Sequence, residues 1–169
     1  RLAVYIALNV EHFSFGEGLG HTPTAPGAEP DVRNYAWRDY GLRVGIWRLF
    51  DLFDELGLPA CALMNSAIYD YAPQIPVRIR ERGDEFVGHG RTNSEQQADY
   101  SEADERALIE ETNAAFKNHE GQGLGGWMGP WISESHTTPD LLKEAGLRYL
   151  MDWPCDDQPV WMATRSGAL

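Results

Sequence analysis

The sequence predicts an α/β fold in which helices flank a parallel sheet or barrel. Short apolar runs alternate with longer amphipathic segments, and this order is typical of repeated strand–helix units. Four polar clusters each come directly after an apolar run, where the carboxyl ends of parallel strands meet at one edge. The 169 residues, 43% of them hydrophobic, suffice for one domain with a buried core.

The first third of the chain predicts one strand, one long loop and one helix. Residues 2–8 are apolar and suit a buried strand, which ends at the polar residues 9–12. Residues 14–34 are rich in Gly, Pro, Thr and Ala and predict a loop long enough to be functional. Residues 42–56 place their apolar side chains on one helical stripe, and Gly57 suits the helix C-terminus.

The middle of the chain repeats the pattern. Residues 60–64 predict a second strand, residues 73–82 a helix and residues 86–88 a third strand. Ser101, followed three residues later by an aspartate, resembles a capping box and predicts a helix that extends through Phe116.

The last third predicts shorter elements. Residues 126–131 form a short strand with its exit loop. Thr138, followed by proline, predicts a helix N-cap, and that helix ends at Gly146. Residues 149–151 predict a fifth strand, and residues 160–162 one more short strand.

Composition excludes some partners and a membrane location. The net charge of −12 would repel phosphate backbones, so nucleic acid is not an expected partner. The sequence contains no apolar run of the roughly 18–20 residues that a membrane helix needs. Cys61 and Cys155 do not make a disulfide framework, which favours a reducing compartment, and no signal peptide is visible, so we expect a cytoplasmic protein.

Candidate site residues follow the first and third strands. Asn9 and Glu11 are two apart, so their side chains point the same way and both could face a barrel mouth, whereas His12 would face the other side. His89 follows the third strand, and Arg91 and Asn93 share its loop as possible hydrogen-bond donors to a carbonyl. All these residues have a structural alternative as solvated or capping side chains.

Two further groups follow the fourth and fifth strands. Trp127 and Trp131 are core residues or the apolar walls of a small-ligand pocket. Asp156 and Asp157 are adjacent carboxylates in a solvated turn, or an acid–base candidate if they are buried together.

Four segments stand in order along the chain: residues 9–11, 82–90, 126–131 and 149–159. Together they resemble the successive motifs of the polysaccharide deacetylase (NodB-homology, carbohydrate esterase family 4) superfamily. The Asn-x-Glu of the first segment and the Asp-Asp-x-Pro of the last resemble the branch of allantoinases and cyclic-imide hydrolases. The resemblance covers nearly the whole chain.

The resemblance implies a distorted (β/α) barrel, usually of seven strands, of which residues 1–169 would form a single catalytic domain truncated at its C-terminus. In the metal-dependent members an Asp pair supplies base and ligand, and His-x-x-x-His supplies two more ligands. Here Asn9 stands at the base position, Glu11 at the ligand position and His89 at the first histidine, while Asn93 replaces the second. We therefore expect no metal and no other cofactor.

The first hypothesis is a hydrolase for a non-peptide C–N bond in a small linear or cyclic amide. Glu11 would activate water, His89, Arg91 and Asn93 would be candidate oxyanion donors, and Asp156 or Asp157 would be the acid. A second hypothesis is a metal-dependent N-acetyl carbohydrate deacetylase, with zinc on Glu11, His89 and His12. A third is an inactive carbohydrate-binding relative, because Asn9 cannot take a proton. We expect a small-molecule substrate and a homo-oligomer.

Overall fold

A five-stranded parallel sheet forms the centre of the protein, with the strands side by side in chain order. The structure is a computed structural model that describes residues 4–18, 24–25 and 29–169. A sheet ordered β1-β2-β3-β4-β5 is what successive units of a β/α barrel produce, although within the described residues it does not close into one. The strands are β1 (Ala7–Val10), β2 (Cys61–Met64), β3 (Glu85–Gly88), β4 (Gly126–Trp127) and β5 (Tyr149–Leu150).

Helices connect the strands, and an antiparallel hairpin follows them. The helices are α1 (Val32–Tyr40), α2 (Ile46–Leu56), α3 (Ile68–Tyr71), α4 (Gln74–Arg82), α5 (Glu102–Glu120) and α6 (Thr138–Glu144). A π-helical turn, Gly41–Gly45, joins α1 to α2. The hairpin pairs β6 (Ala163–Thr164) with β7 (Gly167–Ala168). None of the helices in these described ranges is long and apolar enough to cross a membrane.

The two faces of the sheet have different neighbours. Val10 and Met64 are aligned in register and belong to the hydrophobic core, into which α2, α4, α5 and α6 also project apolar side chains. Asn9, Leu63 and Val87 are aligned on the opposite face. Because strand side chains alternate, residues 11, 65 and 89 continue this second face just beyond the strand ends.

The predicted α/β class is confirmed, and so are the helices that end near residues 56 and 82. Glycines with positive φ end both of these helices, as such positions require. The Ser101 cap is also confirmed, because its hydroxyl accepts the Asp104 N–H at 3.2 Å.

Three local predictions are wrong. The loop predicted at 14–34 ends early, because the Asp31 carboxylate accepts the Asn34 N–H at 3.1 Å and starts α1. Thr138 lies inside α6, and its hydroxyl accepts the Ser135 N–H instead of capping. Residues 160–162 form no strand; the hairpin lies just after them. The first strand begins at Ala7, while residues 2–3 and much of the predicted loop lie outside the described residues.

Candidate active site

Three polar side chains form a row along the carboxyl ends of β1, β2 and β3. They are Glu11, Asn65 and His89, each two residues beyond a residue of the sheet face opposite to that of Val10 and Met64. Parallel strands in adjacent register bring their ends to the same edge, so three positions distant in sequence become neighbours. The convergence of Glu11 with His89 therefore follows from strand alternation and register.

Glu11 and His89 are in direct contact. His89 Nε2 lies 3.4 Å from Glu11 Oε1, and the imidazole is 2% exposed. On the other side of the ring, Nδ1 lies 2.7 Å from the carbonyl oxygen of Met128. A carbonyl can only accept, so Nδ1 carries a proton and Nε2 is the nitrogen that faces Glu11.

Glu11 is held as a charged group. Asn9 Nδ2 donates to Glu11 Oε1 at 3.1 Å. Burial by itself would raise the pKa of Glu11, but the hydrogen bond and charge of His89 and the charge of Arg38 outweigh it, so that the pKa is lowered. The carboxylate is therefore ionised at neutral pH and can accept a proton.

Arg38 brings a cation to this edge of the sheet. Its guanidinium carbon lies 4.1 Å from the ring centroid of Phe13 and 5.6 Å from that of Trp131, within the range of cation–π attraction. Arg38 is on α1, the helix that the sequence did not predict. Two aromatic rings and a carboxylate thus fix where its positive charge sits.

A cavity of about 220 Å³ opens beside Glu11. Asn9, Glu11 and Arg38 line its polar part, and α1, the π-helical turn and α2 supply an apolar wall that includes Leu42 and Ile46. Gly41 faces open space, so no side chain at that position fills the cavity. Its volume lies below the roughly 300–1,000 Å³ that is common for drug-sized ligands and therefore suits a small molecule.

Asn65 ties the loops of the site together. Its side-chain oxygen accepts the His12 N–H at 2.7 Å, and its amide nitrogen donates to the carbonyl oxygens of His89 and of the Asn93 side chain. The Asn93 N–H donates to the His12 carbonyl at 2.8 Å. Asn93 is thus a buried cross-link between two exit loops, and its side-chain oxygen is directed to Asn65.

Arg91 and the two tryptophans have other surroundings than the sequence suggested. Arg91 forms ion pairs with Glu95 and Glu111, which neutralise it away from Glu11. Trp127 is fully buried and donates its indole N–H to a buried glutamine, so it packs in the core and is not the wall of a mouth. Trp131 does lie at the site, where its indole N–H donates to the Asn93 carbonyl at 2.8 Å.

The carboxylates after β5 divide into exposed and buried ones. Asp156 and Asp157 are both exposed, so the condition for a buried pair is not met. Asp152 is 7% exposed instead, and both of its carboxyl oxygens accept the Gly129 N–H at 3.0 Å. Burial and the neighbouring Glu134 raise the pKa of Asp152 to about 8.

No family model matches the sequence, and no curated protein matches it. Solved structures match the fold. A protein described as a polysaccharide deacetylase from Pseudomonas aeruginosa PAO1 superimposes with a TM-score of 0.78 at 24% identity, over 97% of this chain and 59% of its own. Another from Mycobacterium smegmatis gives 0.76 at 23%, over 97% and 55%. Puue allantoinase gives 0.75 at 22%, over 94% and 56%.

The chain has the polysaccharide-deacetylase fold. At these identities the likeness establishes architecture only, which agrees with the fold implied by the sequence motifs. The chain spans between about half and three fifths of the length of the structures that it matches.

The site does not fit the metal centre of the metal-dependent members. A catalytic zinc takes about three protein ligands, and Glu11 with His89 supplies two. The His12 ring packs against Tyr71, with centroids 4.3 Å apart, and Asn93 is bonded to Asn65. Across residues 4–18, 24–25 and 29–169, no group of three His, Cys, Asp or Glu side chains could hold a metal ion.

Sequence reasoning missed Arg38, Asn65 and Asp152. Asn65 and Asp152 carried a usable signal, because each follows a predicted strand directly, as Glu11 and His89 do. Arg38 carried none: it stands in a helix whose start was assigned to a loop. The sequence predicts the acid role for the adjacent carboxylates at 156 and 157 and not for Asp152. A single carboxyl nearer the strand end is, however, the better candidate for burial.

Proposed function

We propose that this chain carries the catalytic base of a hydrolase that cleaves a non-peptide C–N bond in a small linear or cyclic amide. The observation that supports it is the contact between Glu11 and His89, an ionised carboxylate facing an imidazole whose other nitrogen is fixed by a backbone carbonyl. Such a pair can take a proton from water and retain it. The likeness to deacetylase and allantoinase structures agrees with this chemistry.

In the proposed reaction Glu11 removes a proton from water as the oxygen attacks the amide carbonyl. The resulting tetrahedral oxyanion needs a preorganised positive charge or donor, and one such donor typically contributes on the order of 3 kcal/mol. Arg38 is the candidate, because it lines the same cavity and its charge already acts on Glu11. When the oxyanion collapses and the C–N bond breaks, the proton that Glu11 took from water passes to the leaving nitrogen, while His89 keeps Glu11 in place.

The substrate would be small and activated. Without a metal to polarise the carbonyl, the protein alone must activate water, and this favours ring amides over plain acetamides. The cavity of about 220 Å³ suits a compact molecule with polar groups at the Glu11 end. We therefore place cyclic imides and ureides before N-acetylated sugars as candidates.

A metal-dependent N-acetyl carbohydrate deacetylase is the second candidate. One observation favours it: metal-binding histidines usually give their second nitrogen to a carbonyl or carboxylate, as His89 Nδ1 does with Met128. The ligand count described above argues against it.

A hydrolysis screen decides between the candidates. Purified protein would be tested on allantoin, cyclic imides and N-acetylated sugars, with and without a chelator, beside Glu11→Gln and the exposed control Glu110→Gln. We expect turnover of a cyclic or ureido amide that survives chelation and is lost in Glu11→Gln alone. Binding of a sugar without any turnover would instead support an inactive relative, in which Asn9 stands where the base would be.

A further inference from the structure

A second pair of acidic groups lies at the same edge of the sheet, after β4 and β5. Asp152 follows the end of β5 by two residues, and Glu134 follows the turn that leaves β4. Both carboxyl oxygens of Asp152 accept the Gly129 N–H at 3.0 Å, and Glu134 Oε2 accepts the indole N–H of Trp153 at 2.6 Å. None of the activities considered above uses this pair.

One carboxyl oxygen of this pair has no hydrogen-bond donor among the residues that the structure describes. Glu134 Oε1 is buried, and no donor in the described chain reaches it. Its neighbour is Asp152, itself nine-tenths buried and, when ionised, also able only to accept. Two adjacent ionised carboxyls repel, whereas one proton between them forms an O–H···O hydrogen bond and satisfies the buried oxygen.

A short chain of contacts links this pair to His89. Asp152 bonds the N–H of Gly129, and the preceding residue, Met128, presents its carbonyl to His89 Nδ1 at 2.7 Å. One peptide unit therefore connects the carboxyl pair to the atom that orients the imidazole.

The β4 exit loop, residues 128–132, is strained and must be held. Trp131 and Ile132 have φ values of 65° and 52°, in the left-handed region that residues other than glycine rarely adopt. Gly129 has no room for a side chain, since a Cβ there would lie 2.5 Å from the Ser133 carbonyl and 3.2 Å from Asp152 Oδ2. The loop persists because surrounding contacts fix it: the Met128 N–H donates to the Gly88 carbonyl at 2.9 Å, and Asp152 accepts the next N–H along the loop, that of Gly129.

We infer that Asp152 and Glu134 are positioning residues that share one proton and thereby hold the β4 exit loop where the Met128 carbonyl orients His89. The catalytic consequence rests on the proposed hydrolase, but the coupling between the two pairs does not depend on it. Three elements face Asp152 and Glu134. Asp152 faces the Gly129 N–H of the β4 exit loop and Glu134 of the segment that follows this loop. Glu134 also faces the indole N–H of Trp153, which belongs to the β5 exit.

The proposed coupling between the carboxyl pair and His89 should depend on pH. When the shared proton leaves, the charge of the pair changes from −1 to −2, and the repulsion between the two carboxylates moves Asp152 together with the Gly129 N–H that it accepts. His89 then loses its fixed acceptor. Asp152→Asn mimics the protonated pair at every pH, because the amide can donate to Glu134 Oε1 while its oxygen still accepts from Gly129.

Nuclear magnetic resonance of the whole purified chain tests this without any substrate. The Gly129 amide and the His89 Nδ1–H would be followed from pH 5 to 9 in the wild type, Asp152→Asn, Glu134→Gln and the exposed control Asp70→Asn. We expect both wild-type signals to change together with one midpoint above pH 7. That transition should be absent from Asp152→Asn and Glu134→Gln and unchanged in Asp70→Asn.

Each other outcome contradicts the inference. A Gly129 midpoint near pH 4 would show that the pair does not retain a proton. A Gly129 transition above pH 7 that leaves His89 unaffected would remove the positioning role. Persistence of the transition in both amide variants would place the titrating group elsewhere. Failure of the hydrolysis screen would affect none of these measurements, so the two proposals can fail separately.

Discussion

Two carboxyls at one edge of this sheet, the half-buried Glu11 and the buried Asp152, have pKa values shifted in opposite directions. Burial by itself would raise the pKa of both Glu11 and Asp152. Glu11 meets the His89 imidazole and the positive charge of Arg38, which reverse the effect, whereas Asp152 meets a second carboxyl, which adds to it. The charge of the partner, and not the depth of burial, therefore decides which group is ionised.

The contrast assigns different tasks to the two pairs. A carboxylate with a lowered pKa that lines a cavity can accept a proton from water, which is the role proposed for Glu11. Asp152 is 7% exposed and bonded to a backbone N–H, which suits a group that keeps its proton and holds a loop. Opposite shifts at one edge are the pattern by which acid and base roles are separated in many enzymes.

The largest expected effect comes from removing the base. Glu11→Gln keeps the bond from Asn9, because the amide oxygen can still accept, but it cannot take a proton. We expect hydrolysis to fall by about 10²–10⁴-fold while the midpoint of urea unfolding stays near that of the wild type. Near-normal turnover in Glu11→Gln, with Asp157→Asn inactive, would move the base to the exposed turn after β5.

His89→Asn tests whether the imidazole sets the charge of Glu11. The asparagine amide can still donate to the Met128 carbonyl, but the group facing Glu11 is lost. Burial of Glu11 then acts with less opposition, so its pKa should rise. The acid limb of the pH–rate profile should move to higher pH, and the carboxyl carbon resonance of Glu11 should shift in parallel. An unmoved midpoint would show that Arg38 alone keeps Glu11 ionised.

Strand alternation explains how much of the site could be predicted from the sequence. Asn9 and Glu11 were placed on one side, and His12 on the other, because residues two apart in a strand share a face. The hydrogen bond from Asn9 to Glu11 brings these two side chains together on one side, and the His12 ring packs on Tyr71. The catalytic role of Glu11 remains a prediction.

The failures have equally physical causes. The position of Arg38 depends on a cap at Asp31 inside a stretch whose Gly and Pro content predicts a loop. Trp127 is the last residue of β4, and the register aligns it with Gly88 on the core side of the sheet, so it cannot face the site. Register and capping are three-dimensional facts that a single sequence expresses only weakly.

Asp152→Asn should flatten the dependence of stability on pH. The folded-state pKa of Asp152, about 8, lies above its ordinary value of 3.8, so the folded protein binds this proton more tightly than the unfolded chain. The stabilisation is complete below about pH 4 and is lost as pH rises to about 8, with a slope of up to about 1.4 kcal/mol per pH unit. Urea unfolding at pH 5, 6, 7 and 8 would measure it. Equal slopes in wild type, Asp152→Asn and Asp70→Asn would contradict the assignment.

The smallest expected effect is that of a chelator, which should leave activity unchanged. Glu11 and His89 are the two potential ligands in contact, with His89 Nε2 3.4 Å from Glu11 Oε1. A third ligand would require the His12 ring to leave Tyr71 and cross to the opposite side of the strand, which its alternation opposes. Replacing Asn93 by histidine restores the residue type of the metal-dependent pattern, but the Asn65 side chain occupies that direction. We therefore expect no stoichiometric transition metal by elemental analysis in the wild type, and turnover independent of added zinc. Near-stoichiometric metal, lost together with activity on chelation and restored by zinc, would make Glu11 a ligand instead of a base and remove the contrast between the two carboxyl pairs.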